Sequence, residues 1–202
     1  MKYYTADPHF GHNNIIKLCD RPFGSGHAMN EQMVLRWNNR VRGNDEVFII
    51  GDFTLGNAEF AKEFLGRLNG QIFMVPSIGH DKKWVRGWRL HHDKDFLKSK
   101  FKMLSPIHRV KDAGHTLILC HYPLVTWENS FHGSIHLHGH EHGRQGIMGW
   151  AGDFAEAQEP AFRVDVGVDI WNFIPITLEQ IMRKARSMGF ARKEFKFAGG
   201  RT

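Results

Sequence analysis

Eight residues of two chemical kinds follow apolar, strand-like runs along the chain: Asp7, His9, Asp52, His80, Asp81, His121, His140 and His142. All are carboxylates or imidazoles. Carboxylate oxygens and imidazole nitrogens form the donor set that suits Mn, Fe or Zn, and no thiolate stands at these positions. Two such ions about 3.5–4 Å apart need a carboxylate to bridge them, and as a pair they clamp the attacking and leaving oxygens of a phosphoryl displacement. Asp52 is the natural bridge.

The elements that must position these groups are legible around them. Residues 2–6 read as a strand that stops at Pro8, which has no amide hydrogen for a ladder. Residues 30–41 place Met33, Val34, Trp37 and Val41 at helical spacing, with Asn30 as the expected N-cap. Residues 47–50 form an apolar run too short for a helix, so they predict a buried strand that delivers Asp52 at its carboxyl end. A second helical pattern covers 57–68, and 71–75 predicts the next strand, before the turn residues that lead into His80-Asp81. Further strands are expected over 116–120 and 134–137, each running into histidines, then over 162–166 and 174–176, with a closing helix over 178–188. Strand–helix alternation of this kind predicts an α/β protein whose active groups collect on loops beyond the strand ends.

In these residues the chain resembles the calcineurin-like metallophosphoesterase superfamily, in particular its small bacterial and phage members. The superfamily pattern D-x-H, G-D, G-N-H-D, H, G-H-x-H stands here as Asp7-Pro8-His9, Gly51-Asp52, the altered Ile78-Gly79-His80-Asp81, His121, and Gly139-His140-Glu141-His142. The flanking stretches HFGHNNII and VDIWNFIPITLEQI are similar too, so the likeness spans nearly the whole chain. It implies a four-layer α/β/β/α sandwich and two divalent ions, Mn2+ first, with Fe, Zn or Ni as alternatives. One ion would be held by Asp7, His9, Asp52 and His142, the other by Asp52, His121 and His140, and a metal-bridging hydroxide would be the nucleophile. His80 would stabilise or protonate the leaving oxygen, and Asp81 would orient its imidazole. The superfamily has Asn where this chain has Gly79, so the second metal site is expected to be the weaker one.

Composition sets the outer bounds. With 202 residues, 42% hydrophobic and 24% charged, the chain is a globular protein of ordinary make-up, long enough for a full core without staples. A single domain over residues 1–202 is expected, with a basic C-terminal tail from about residue 189. Cys19 and Cys120 are the only cysteines, which excludes a disulfide framework and fits a reducing compartment. No secretory signal and no apolar run of membrane-spanning length is visible, which predicts a cytoplasmic protein.

The net charge of +6 is uneven. Residues 82–102 carry eight Lys or Arg against two Asp, interleaved with Trp84, Trp88, Phe96 and Phe101. Such a segment either holds phosphates and stacks bases or covers a core with its aromatics inward and its cations in solvent. His12, Asn13, Arg86 and Arg89 are the candidate substrate residues. The expected activity is hydrolysis of a phosphodiester in a nucleotide or oligonucleotide. A phosphomonoesterase and a catalytically weakened binding scaffold are the alternatives, and the expected partner is a phosphate-ester substrate, with nucleotide and nucleic acid as candidates and no membrane.

Overall fold

The short apolar runs pair into two sheets. The computed structural model describes residues 1–90, 100–150 and 161–190. In chain order the elements are β1 (Lys2–Thr5), α1 (Asn14–Leu18), α2 (Gly26–Asn38), β2 (Glu46–Ile50), α3 (Ala58–Arg67), β3 (Gln71–Val75), α4 (Lys82–Leu90), β4 (Phe101–Met103), β5 (Ile107–Asp112), β6 (His115–Cys120), β7 (Ile135–His138), β8 (Met148–Trp150), β9 (Phe162–Asp165) and α5 (Leu178–Ser187). The first sheet is parallel, in the order β1-β2-β3-β4. The second, β5-β6-β7-β9-β8, is parallel in its centre with antiparallel strands at both edges. The protein is therefore of mixed α/β class.

Side-chain alternation along β2 and β3 separates two cores. Val47, Ile49, Ile72 and Met74 pack with Met33 and Trp37 of α2, Phe64 and Leu65 of α3, and Trp84 of α4. Phe48, Ile50 and Val75 cluster instead with Leu117, Leu119, Leu137 and Val164 of the second sheet and with Ile181 and Met182 of α5. Each of these side chains contributes roughly 1.5–3 kcal/mol by leaving water. Sheet and helices are thereby fixed to one another, and the loops at the carboxyl ends of β1, β2, β3, β6 and β7 are brought together.

Several expectations need correction. Helix α2 starts earlier than the periodicity indicates, because Ser25 caps it by accepting from the Ala28 amide at 3.1 Å. Asn30 is not the cap; its side chain accepts from the Gly11 amide at 3.1 Å. Residues 174–176 make a single bridge, Tyr4 to Ile176, rather than a strand. Asn57 caps α3, and Thr177 caps α5 with a reciprocal capping box. No helix among the described residues is long and apolar enough to cross a membrane.

The basic segment after β3 divides between the two readings. Trp84 is fully buried between Phe53 and Phe101, so it covers the core and is no platform for bases. Lys82, Lys83 and Arg86 are exposed on α4. The Arg89 side chain and residues 91–99, Phe96 among them, lie outside the described residues, as does the expected tail from residue 191 onward.

Candidate metal centre

Pairing between β1 and β2 continues past the strand ends. The amides of Asp7, His9 and Phe10 donate to the carbonyls of Gly51, Asp52 and Phe53, which lays the two loops side by side. The second sheet is stitched to the same place: Ala6 donates to Val166 and accepts from Val168, Val166 donates to His138, and Gly139 donates to His121. Glycines permit this closeness. A Cβ on Gly51 would stand 2.3 Å from the His121 ring, and one on Gly139 would stand 2.5 Å from Asp7 Oδ2.

The loops are also strained. Asp7, His9, Asp52, His140 and His142 all have φ between 50° and 73°, in the left-handed region that side chains with a Cβ avoid. Each such residue costs on the order of 1 kcal/mol or more, and strain of this kind concentrates at functional sites because the surroundings must over-determine it.

Asp52 lies at the centre. Its Oδ1 is 3.2 Å from His121 Nε2, and its Oδ2 is 3.0 Å from His80 Nδ1 and 3.4 Å from His9 Nε2. His121 Nδ1 is 3.0 Å from the Ile50 carbonyl, which can only accept, so the ring hydrogen is on Nδ1 and Nε2 turns a lone pair toward Asp52. Asp52 Oδ1 and His9 Nε2 are accordingly buried without a hydrogen-bond partner among the described residues. Lone pair facing lone pair in a buried site calls for a cation between them.

Charge is also out of balance. Burial, together with the nearby Asp165 and Asp52 carboxylates, pushes the Asp7 carboxyl well above the usual range. Burial holds His9 far below the imidazole range, helped by Arg21 and by the neighbouring histidines, so its ring is neutral. Ligand atoms of Asp7, His9 and His142 lie within 4.8 Å of one another, and so do those of Asp7, Asp52 and His121. Donor type, burial and orphaned atoms all fit two divalent ions.

Most of the expected ligands converge, with one difference in grouping. Asp7 belongs to both triads. His140 belongs to none of those found among the described residues: its backbone amide donates to both Asp7 oxygens at 3.2 and 3.0 Å, while its ring packs on His121 and Tyr122 with centroids 5.3 and 4.9 Å apart. His12 stands 3.4 Å from His9, nitrogen to nitrogen. Asn13, expected with it, lies against Gly26 at the start of α2 instead.

Asp81 departs from the expected role. It is wholly buried, and its partners are the amides of Asp52, Phe53 and Ser77, each at 2.9 Å, and Trp84 Nε1 at 2.8 Å. It ties the Asp52 loop to the β3–α4 loop. The imidazole of His80 is paired with Asp52, not with its chain neighbour, because consecutive side chains in this turn point apart.

Three contributors carried little signal in the sequence. Asp169 accepts from His142 Nδ1 at 2.7 Å and receives a two-point contact from Arg21 at 2.7 and 2.9 Å. Burial acts to raise the Asp169 carboxyl, but the His142 and Arg21 hydrogen bonds outweigh it and hold it below the usual range. Carboxylate–imidazole pairing of this kind frees His142 Nε2 for a metal. Arg21 further donates to the carbonyls of Asp7 and Pro8. Asp165 accepts from the Gly143 and Gly167 amides, joining the GHEHG loop to the one that follows β9. Asp165 interrupting the run 162–168 and Asp169 directly after it are the trace of these two carboxylates in the sequence, and Arg21 leaves none.

No protein-family model matches the chain. It is 31% identical over 183 residues to the uncharacterized protein MJ1445 of Methanocaldococcus jannaschii, across 90% of this chain and 89% of that protein. It is 25% identical over 191 residues to the gene 66 protein of Mycobacterium phage D29, across 84% and 88% of the two chains. The crystal structure of AQ665 from Aquifex aeolicus, a protein of unknown function, superposes with a TM-score of 0.59 at 19% identity, covering 91% of this chain and 98% of that one.

Proposed function

The chain belongs to the same family as the uncharacterized protein MJ1445, and we propose that it is a dinuclear metal-dependent phosphoesterase with the four-layer α/β/β/α sandwich that its resemblance to the calcineurin-like superfamily implies. One observation carries the reading: with His121 Nδ1 on the Ile50 carbonyl, its Nε2 stands 3.2 Å from Asp52 Oδ1, and that oxygen and His9 Nε2 are both buried without a hydrogen-bond partner among the described residues. Asp7, His9 and His142 would hold one ion, His121 with Asp7 and the adjacent His140 the other, and Asp52 would touch both. Two bound divalent ions would lower the pKa of water and neutralise charge on the phosphoryl oxygens.

The chain's own groups supply the rest. His80 has a half-buried side chain with Nδ1 on Asp52. Its Nε2 is therefore directed away from Asp52, where it can hydrogen-bond to a leaving oxygen or hand it a proton. Lys82, Lys83 and Arg86 follow on the exposed side of α4 and favour an anionic substrate that extends beyond one phosphate. A phosphodiester of a nucleotide or oligonucleotide suits that charge.

The test is hydrolysis of bis-p-nitrophenyl phosphate beside p-nitrophenyl phosphate by metal-stripped protein titrated with Mn2+, with Asp52→Ala as control. Saturable diester hydrolysis that the control lacks is expected. A preference for the monoester would make the protein a phosphomonoesterase, and no turnover of either would leave a binding scaffold.

A further inference from the structure

We propose that His12 is a positioning residue that sets the tautomer of His9, taking the Nδ1 hydrogen of that ring so that its Nε2 is left as a bare donor to a metal ion. The proposal rests on the dinuclear reading above. A neutral imidazole has one hydrogen, so the partner of one nitrogen decides what the other can do. For His9 the choice is narrow. Its ring is 1% exposed, and Nε2 makes no hydrogen bond among the described residues although Asp52 Oδ2 lies 3.4 Å away. A hydrogen on Nε2 would thus be buried unsatisfied, whereas a hydrogen on Nδ1 meets His12 Nδ1 at 3.4 Å.

Two further histidines of the centre, His121 and His142, are treated the same way, whereas His80 turns its Nδ1 to Asp52 Oδ2 at 3.0 Å. His121 gives its Nδ1 hydrogen to the Ile50 carbonyl at 3.0 Å, and His142 gives its own to Asp169 at 2.7 Å. All three rings then present Nε2. His9 differs in having an imidazole as its acceptor, and local structure is built to hold that imidazole. Gly11, at φ +75°, turns the chain so that the His12 amide donates back to the His9 carbonyl at 3.0 Å. A Cβ on Gly11 would stand 2.6 Å from the Phe60 ring, and the Gly11 amide is held by Asn30, which accounts for Asn30 lying inside α2 rather than capping it.

Because the two ring nitrogens point apart, His12 in this arrangement has its hydrogen on Nε2, on the side away from His9. Its ring centroid is 5.9 Å from that of His80. In this arrangement His12 acts through His9, and the ligand atoms of His9, His12 and His80 lie within 4.8 Å of one another.

An acceptor-only exchange separates this role from simple packing. Asn places its Oδ1 near the position of His Nδ1 and can accept; Leu has similar size and cannot. In metal-stripped full-length protein titrated with Mn2+ by calorimetry, His12→Leu should weaken the tighter site by about 10–100-fold, the range usual for an outer partner of a ligand histidine. His12→Asn should recover most of that loss, with the metal-free melting temperature unchanged in both. In 15N NMR of the metal-free wild type, His9 should be protonated at Nδ1. Equal Mn2+ affinity in wild type and His12→Leu would overturn the proposal, as would a His9 ring protonated at Nε2. Wild type that bound no Mn2+ would remove the dinuclear reading itself, while the tautomer would still judge His12.

Discussion

Asp81→Asn separates a structural from a catalytic role at one position. The Asp81 carboxylate accepts four buried hydrogen bonds, two at each oxygen: Oδ2 from the Asp52 and Ser77 amides, Oδ1 from Phe53 N and Trp84 Nε1. The Asn amide keeps one oxygen and turns an NH2 group toward two donors, leaving both without an acceptor. A buried unsatisfied donor costs roughly 1–3 kcal/mol, so two cost about 4 kcal/mol. That is a large part of the 5–15 kcal/mol by which domains are stable. Urea unfolding of metal-free protein, followed by tryptophan fluorescence, should show this loss in the wild-type minus variant difference. A loss below about 1 kcal/mol, accompanied by a changed pH–rate profile, would refute the reasoning and give Asp81 the role of orienting His80.

Two other perturbations bear on the same fold. Gly79→Asn should be tolerated, since a Cβ there meets only the Tyr122 hydroxyl at 3.7 Å and the backbone is outside the left-handed region; stability should stay within about 0.5 kcal/mol, and the Mn2+ requirement for diester hydrolysis should fall if the second site lacks a ligand. An unchanged requirement would mean that the site is complete without it. His136 concerns acid stability: burial pushes its pKa down to about 4, against hydrogen bonds to Ile118 and Tyr122 carbonyls that act to raise it. Both states are neutral above pH 6.5, and below it the unfolded chain takes up a proton that the native ring refuses. Stability is therefore lost as pH falls from 6.5 toward 4, by about 3 kcal/mol from this group at 1.36 kcal/mol per unit. The stability advantage of wild type over His136→Gln should shrink by that amount between pH 7 and pH 4, and a constant difference would contradict the burial argument.

What could be read from the sequence was what local pattern determines. Asp7, His9, Asp52 and His121 follow strands whose apolar runs are unambiguous, and the parallel register of β1 with β2 carries the first three into contact. Long-range pairing was illegible. Arg21 and Asp169 are 148 residues apart, and nothing local marks either as the other's partner. The resemblance implies that Asp81 orients His80, its neighbour along the chain, yet in the fold His80 meets Asp52 while Asp81 accepts from backbone amides and Trp84. The same limit applies to Trp84, whose basic neighbours gave no indication of which face of α4 is inward. The edge strands β4 and β8 have three residues each, too few for any alternation to register.

The proposed function requires Asp52 to lie between two cations. Electron paramagnetic resonance of metal-stripped protein loaded with two equivalents of Mn2+ tests this directly, because ions bridged by one carboxylate are spin-coupled. A coupled spectrum that Asp52→Ala converts to isolated Mn2+ is the predicted result. Uncoupled or unbound Mn2+ in the wild type would contradict it.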